Sequence, residues 1–194
     1  MRSMIAVVLT ASLTACGAAP VERTAPPPPP ATPTPTPTAT QPAATQPVVA
    51  VDEEGLRLVD RLSGRTRPIP FGTSRSDTLA ALARRGSPDV GTNAECGAGP
   101  LGFARYRDGL MLQFQDDRFA GWSVDRTARG TVTTMAGIGP GSTRAALKSA
   151  YAITLPDSTL GTEFAAGAMG GLLDGPGPQA RITDLWAGVT CLFR

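Results

Sequence analysis

The chain has 194 residues, and its 18 basic and 16 acidic residues leave a net charge of +2 at pH 7. This charge is too small to predict nucleic acid or an anionic membrane surface as a partner, and basic residues are scattered along the sequence. The chain has no histidine, which excludes Ser-His-Asp and Cys-His nucleophiles and most zinc sites. The sequence also has no calcium-loop pattern and no dinucleotide-binding spacing of glycines, so we predict no metal and no cofactor.

The first residues have the pattern of an export signal. Arg2 precedes an apolar run from Ile5 to Leu13, which is far shorter than the about 20 residues that span a bilayer. The run ends in LTAC at residues 13–16, which resembles the lipobox of bacterial lipoproteins. The resemblance implies a signal peptide over 1–15, lipidation of Cys16, and anchoring in the outer membrane, facing the periplasm, because Gly17 rather than Asp follows. The alternative is an ordinary secreted protein.

Residues 16–47 are predicted to form a disordered linker after the lipidated cysteine. Eleven of the 19 prolines lie in 20–47, a segment with no aromatic residue and little apolar surface to bury. In polyproline II conformation, at about 3.1 Å per residue, this segment would reach on the order of 80 Å. A passive spacer is the simpler interpretation, and a ligand for a proline-binding module or for cell wall is the alternative.

The remaining residues, 48–194, are enough for one α+β domain. Two short strands are predicted within 55–71, around Ser63-Gly64, and a helix follows Thr73 or Ser74, with Leu79, Leu82 and Ala83 on its apolar face. Residues 87–100 are predicted to be loop. A meander of three antiparallel strands follows at 101–107, 110–115 and 118–124, with turns at Asp108-Gly109 and Asp116-Asp117.

A similar pattern recurs in the second half of the domain. Residues 130–151 contain a short strand, a glycine-rich turn and a helix capped by Ser142 or Thr143, and strands are predicted at 153–155, 162–166, 180–186 and 189–194. The stretches GTSR at 72–75 and GSTR at 141–144 match at an offset of 69 residues. We therefore predict two tandem helix-plus-antiparallel-sheet units, over about 65–126 and 130–194. Chance similarity is the alternative.

Units that open with Gly-x-Ser/Thr before a helix and a meander resemble the SmpA/OmlA outer-membrane assembly lipoproteins. Tandem pairs of such units are similar to β-lactamase-inhibitor-protein-like folds. Leu147 and Tyr151 match the family's apolar spacing after Gly141, whereas Thr78 departs from it in the first unit. The resemblance implies a sheet that grips a protein partner, for which Tyr106, Trp122 and Trp186 are the candidate contacts. Core packing is the simpler interpretation of these three aromatic side chains.

Cys96 and Cys191 are the two cysteines that remain after Cys16. In an exported protein, exactly two such thiols predict one disulfide bond. Two separate buried thiols are the alternative.

No stretch of the sequence identifies a reaction. Asp116-Asp117 lies where a turn is predicted, Asp52-Glu53-Glu54 has the pattern of a solvated charge run, and GIGPGST at 137–143 lacks the lysine of a phosphate-binding loop. We therefore predict a lipid-anchored binding or scaffold protein of the envelope that acts through protein contacts, without catalysis. The alternatives are a cell-wall glycan hydrolase that uses Asp/Glu chemistry, and an inhibitor of an envelope or secreted hydrolase.

Overall fold

The computed structural model describes residues 47–128 and 130–191. These belong to the unit Pro42–Arg194. The predictions for the leader, Cys16 and the linker up to residue 46 lie outside the described residues. The described elements are β1 (Val48–Asp52), β2 (Gly55–Val59), β3 (Thr66–Pro70), α1 (Arg75–Ala81), β4 (Asp89–Asn93), β5 (Leu101–Arg105), β6 (Leu110–Gln115), β7 (Arg118–Val124), β8 (Thr133–Thr134), α2 (Arg144–Ala150), β9 (Thr162–Ala166), β10 (Met169–Leu173) and β11 (Ile182–Gly188).

The domain is an α+β fold with two sheets. The larger sheet has seven strands in the order β4-β5-β6-β7-β11-β10-β9, and every neighbouring pair is antiparallel. The smaller sheet has the order β3-β2-β1-β8, in which β8 pairs in parallel with β1. In the larger sheet, β7 and β11 are joined at the centre, with Trp122 opposite Ala187 and Ser123 opposite Trp186.

The core lies between the smaller sheet, the helices and one face of the larger sheet. Val49 and Val51 of β1 belong to the same buried cluster as Leu112, Trp122 and Leu185 of the larger sheet, which we call its inner face. This arrangement follows from the period-2 alternation of strands, which sends every second side chain inward. The inner face is therefore closed to solvent.

Both helices are short and begin at a capped residue. Ser74 Oγ accepts from the Asp77 amide at the start of α1, and Thr143 Oγ1 accepts from the Ala146 amide at the start of α2. Leu147 is the buried residue of α2, and Thr78 at the matching place in α1 is also buried. The Thr78 hydroxyl donates to the carbonyl of Ser74, which satisfies it in the core.

The structure corrects several sequence predictions. The predicted loop 87–100 contains β4, and the sequence analysis missed β1 and β10 entirely. Ala83 is exposed rather than packed beneath the helix. The predicted strand at 153–155 is reduced to a bridge between Thr154 and Ala165. Residues 189–191 are not a strand, and 192–194 lie outside the described residues.

The segments before the two helices make the same set of contacts with the sheet. The Gly72 amide donates to the carbonyl of Phe119, and the Gly141 amide donates to that of Ile182, at 2.7 and 2.8 Å. In return, Arg118 Nη1 donates to the Gly72 carbonyl at 2.9 Å, and Arg181 Nη1 donates to the Gly141 carbonyl at 2.7 Å. Both glycines have positive φ, +88° and +93°, which a residue with a side chain rarely adopts. Each helix is thereby held at the start of β7 or β11.

Candidate functional site

The face of the larger sheet opposite the core is the candidate binding surface, and we call it the outer face. Phe103, Met111 and Leu172 are half-buried and lie outside the core cluster. The pairings place further side chains on this face by strand alternation. They are Arg105, Gln113, Ser123, Asp184 and Trp186. The outer face therefore combines apolar and polar side chains across five strands.

The three candidate aromatic residues do not form one exposed patch. Trp122 is 0 % exposed and Tyr106 is 3 % exposed, and both belong to the core cluster, as the core-packing interpretation expected. Trp186 lies on the outer face but is only 7 % exposed. Its indole ring covers Gly170, where a Cβ would come within 2.6 Å of the indole nitrogen. Trp186 is thus laid flat on the sheet rather than projecting from it.

Phe103 makes a second contact of this kind near the opposite edge of the sheet. A Cβ at Gly91 of β4 would lie 2.6 Å from the tip of the Phe103 ring. An aromatic ring over a cross-strand glycine occupies the space that the missing side chain leaves. The residues that shape this part of the outer face therefore include glycines, which the sequence analysis did not consider as site residues.

The two cysteines come together beside this surface, 95 residues apart in sequence. Both are free thiols in the structure. Asn93 Nδ2 donates to Cys191 Sγ at 3.3 Å. The pKa of the Cys191 thiol is raised to about 11. Burial is the main cause, and a hydrogen bond with Cys96 and the charge of Cys96 add to it. The disulfide remains a prediction, and the neighbouring thiols support it.

Cys191 also lines a cavity of about 270 Å³ on the outer face. Phe103, Met111 and Gln113 form part of its wall. Gln113 is 2 % exposed, and its Nε2 donates to Ser123 Oγ at 3.2 Å. The cavity therefore offers a small recess beside apolar side chains.

The segment after β11 crosses the outer face to reach this cavity. Gly188 turns with φ +72°, and the Val189 amide then donates to the carbonyl of Ala120 at 2.9 Å. The backbone of Val189 lies directly over Gly121, where a Cβ would come within 2.0 Å of the Val189 oxygen. The absence of a side chain at Gly121 therefore allows Cys191 to approach Cys96.

The candidate carboxylates have structural roles. Asp116 and Asp117 form the turn between β6 and β7, with φ of +50° and +60°, as the turn interpretation predicted. The run at 52–54 is not merely solvated. Asp52 pairs with Arg57, and Glu53 Oε2 accepts from the Ala168 amide at 3.1 Å.

The pKa of Asp60 is lowered, which is the opposite of what a catalytic acid requires. Hydrogen bonds from the Ser63 amide, the Ser63 hydroxyl and the Leu62 amide lower the pKa of this exposed carboxyl. A general acid in glycoside hydrolysis requires a raised pKa. Asp60 is therefore a turn residue.

The glycine-rich stretch at 137–143 borders a cavity of about 650 Å³. Arg181 also lines this cavity. Its Nη1 donates to the Gly141 carbonyl, and its backbone amide donates to Asp174 Oδ1 at 2.7 Å. Across residues 47–128 and 130–191, no group of three or more His, Cys, Asp or Glu residues could hold a metal ion. The Arg181 guanidinium that borders this cavity thus already has a partner within the domain.

Comparison with known proteins gives no relative: no family model, no curated protein and no solved structure matches the chain. Within the described residues, none of the helices is both long enough and apolar enough to traverse a membrane.

Proposed function

We propose that the chain is a lipid-anchored envelope protein whose domain binds a protein partner on its outer face and performs no catalysis. The observation that carries this proposal is the set of half-buried apolar side chains, Phe103, Met111 and Leu172, that lie on the outer face and outside the core. Apolar side chains on a rigid sheet, surrounded by polar groups, are suited to a protein interface.

The proposal includes a tandem origin for the larger sheet. The matched contacts of Gly72 with Arg118 and of Gly141 with Arg181 support two copies of one unit, as does the offset of 69 residues between α1 and α2. Each copy would contribute one meander, and the meanders meet where β7 pairs with β11. This joining makes one broad outer face from two small units.

The protein-contact part can be tested with a photo-crosslinking amino acid on the outer face, in cells that carry the full chain. Positions Phe103 and Met111 should each give the same discrete crosslinked product. Leu62, which is 72 % exposed in the turn between β2 and β3, is the matched control and should not give it. An identical product from Leu62, or none from the outer face, would refute the proposed surface.

The anchoring part can be tested separately. Cys16→Ser should release the chain from the membrane fraction once membranes are washed in about 0.5 M salt, which screens electrostatic attraction beyond a few ångströms. The unsubstituted chain should resist the same wash, because two or three acyl chains anchor it stably. Retention of the Cys16→Ser chain after the wash would contradict lipidation as the anchor.

The hydrolase alternative makes a distinct prediction. Purified chain should release no soluble fragments from cell-wall glycan, because Asp116 and Asp117 lie in a turn, and Asp52 and Glu53 are engaged by Arg57 and by the Ala168 amide. Release of fragments that stops when a single carboxylate is neutralised would overturn the binding proposal in favour of an enzyme. If the crosslinked partner is itself a hydrolase, inhibition by the stoichiometric complex becomes the specific role.

A further inference from the structure

Arginine side chains lie around the residue at which the linker joins the domain. Pro47 is the first described residue, and it borders two small recesses on the surface. Arg65 and Arg67 line one recess, and Arg84 and Arg85 line the other. Arg85 and Arg107 together border a third recess next to the second. We call these five residues the arginine patch: Arg65, Arg67, Arg84, Arg85 and Arg107.

Most of the charge of this patch is not neutralised within the domain. Arg85 pairs with Asp108. The other four arginines are exposed, and none of them forms an ion pair with a residue in 47–128 or 130–191. Asp60, between β2 and β3, lies close enough for Arg65 to lower its pKa, but this carboxylate is mainly engaged by the amides of its own turn. The patch with its two acidic neighbours therefore has a net charge of +3.

The remainder of the described domain has the opposite sign. Apart from the five arginines of the patch and its neighbours Asp60 and Asp108, the described residues include nine basic and thirteen acidic side chains. The domain thus has a positive region at the linker junction and a negative excess elsewhere, although its total charge is close to zero. Such an asymmetry orients a protein in an electric field even when the net charge is small.

We propose that the arginine patch docks the domain onto the anionic lipid headgroups of the membrane that holds its linker. The inference rests on the proposed anchor at Cys16. The anchor determines which membrane surface lies near Pro47, the end of the domain at which the linker joins. With the linker length expected from its composition, the anchor by itself would leave the domain free to move far from the membrane. Each arginine at an anionic surface raises the partition coefficient roughly fivefold, so the four exposed arginines would hold this end of the domain against the lipid.

The geometry also leaves the proposed partner surface available. None of the five arginines of the patch is among the residues that define the outer face, which include Arg105. Docking by the patch and binding by the outer face therefore use different residues. The domain would be oriented by the membrane while its sheet remains available to a protein.

The test uses the full mature chain with Cys16→Ser, so that no acyl chain contributes to binding. We expect it to bind vesicles that contain about one third phosphatidylglycerol in phosphatidylcholine, not vesicles of phosphatidylcholine alone, and to be released by salt. Arg67→Gln with Arg84→Gln should lower the partition coefficient about 25-fold, from roughly fivefold for each charge. The matched control, Arg126→Gln with Lys148→Gln, removes two exposed charges elsewhere and should change it less than about threefold.

If the partition coefficient falls equally in the two double variants, the inference is overturned, because net charge rather than the patch would then drive binding. So would an absence of binding to the anionic vesicles. Neither result would affect the crosslinks from Phe103 and Met111 or the salt-wash test of Cys16, so failure of the inference is distinguishable from failure of the proposed function. Circular dichroism of both double variants verifies that all comparisons are made on folded protein.

Discussion

The indole Nε1 of Trp122 donates a hydrogen bond to the carbonyl oxygen of Asp52 at 2.8 Å. Trp122 belongs to β7 of the larger sheet and Asp52 ends β1 of the smaller one. The bond therefore joins the two sheets at a side chain that is 0 % exposed. A buried indole is suited to this position because it fills the core and still supplies a donor.

Trp122→Phe should destabilise the domain by about 1–3 kcal/mol, since it removes the buried donor as well as part of the ring. Trp122→Ala should cost more, about 3–5 kcal/mol, because it also leaves a cavity. Urea unfolding followed by circular dichroism measures both values. Leu62→Ala, on an exposed turn, is the control and should remain within about 0.5 kcal/mol of the parent. A Trp122→Phe chain as stable as the parent would show that the bond between the sheets contributes nothing.

The exported chain should contain a bond between Cys96 and Cys191. Its intact mass should be lower than that of the reduced chain by the mass of the two thiol hydrogens. Because the bond closes a loop of 95 residues, reduction should lower stability by about 2–5 kcal/mol. Cys96→Ser and Cys191→Ser should be destabilised to a similar extent. If alkylation without reduction labels both thiols, the disulfide is absent.

The reduced chain should show a pH dependence that the oxidised chain lacks. The pKa of the Cys191 thiol is raised from 9.0 to about 11, first by burial and then by Cys96. As the pH rises from about 9 to about 11, the unfolded thiol ionises while the folded one keeps its proton, so stability falls over this range. Urea midpoints measured across that range, in reductant, give the effect.

Cys191→Ser is the necessary control for this pH dependence, because the pKa of Tyr106 is also raised, chiefly by burial, and its ionisation acts in the same direction. The Cys191→Ser chain should retain only the smaller decline that is due to other groups. Identical declines in the two reduced chains would mean that the Cys191 thiol does not titrate differently on folding.

Gly121→Ala should displace the segment that crosses the outer face. The new Cβ would lie 2.0 Å from the Val189 oxygen and 2.7 Å from its carbonyl carbon, so the backbone at 189–191 must move. We expect a loss of about 1–3 kcal/mol from overpacking, and slower formation of the Cys96–Cys191 bond. Free-thiol content during oxidative refolding measures the second effect.

Gly97→Ala is the matched control for Gly121→Ala. It adds the same methyl group near Cys96, at a position where a Cβ meets nothing within 4 Å. Its disulfide should form at the parental rate. Equally slow bond formation in the two variants would attribute the effect to the added methyl group near the cysteines rather than to the crossing at Gly121.

Where local chemistry decided the conformation, the sequence was sufficient to predict the element. Alternating residues predicted β6 at its observed bounds, a pair of aspartates predicted the turn after it, and Ser74 was among the predicted caps of α1. The strands β4 and β10 were missed because their sequences, DVGTN and MGGLL, are interrupted by glycine and have no clear alternation of apolar residues. Rings from neighbouring strands, Phe103 and Trp186, occupy the space above those glycines, and no local pattern contains that contact.

The sequence by itself determined the α+β composition, the capped helices and the hairpin turns at Asp108-Gly109 and Asp116-Asp117, because each depends on a few neighbouring residues. Only the tertiary structure decided which face of the larger sheet carries Trp186 and which buries Trp122. It also brought Cys96 beside Cys191, and it gathered around Pro47 arginines from the β2–β3 hairpin, from the turn after α1 and from the turn after β5. Whether a side chain is buried, and how many charges surround it, depends on residues that lie far apart along the chain. Those residues become neighbours only when the chain folds.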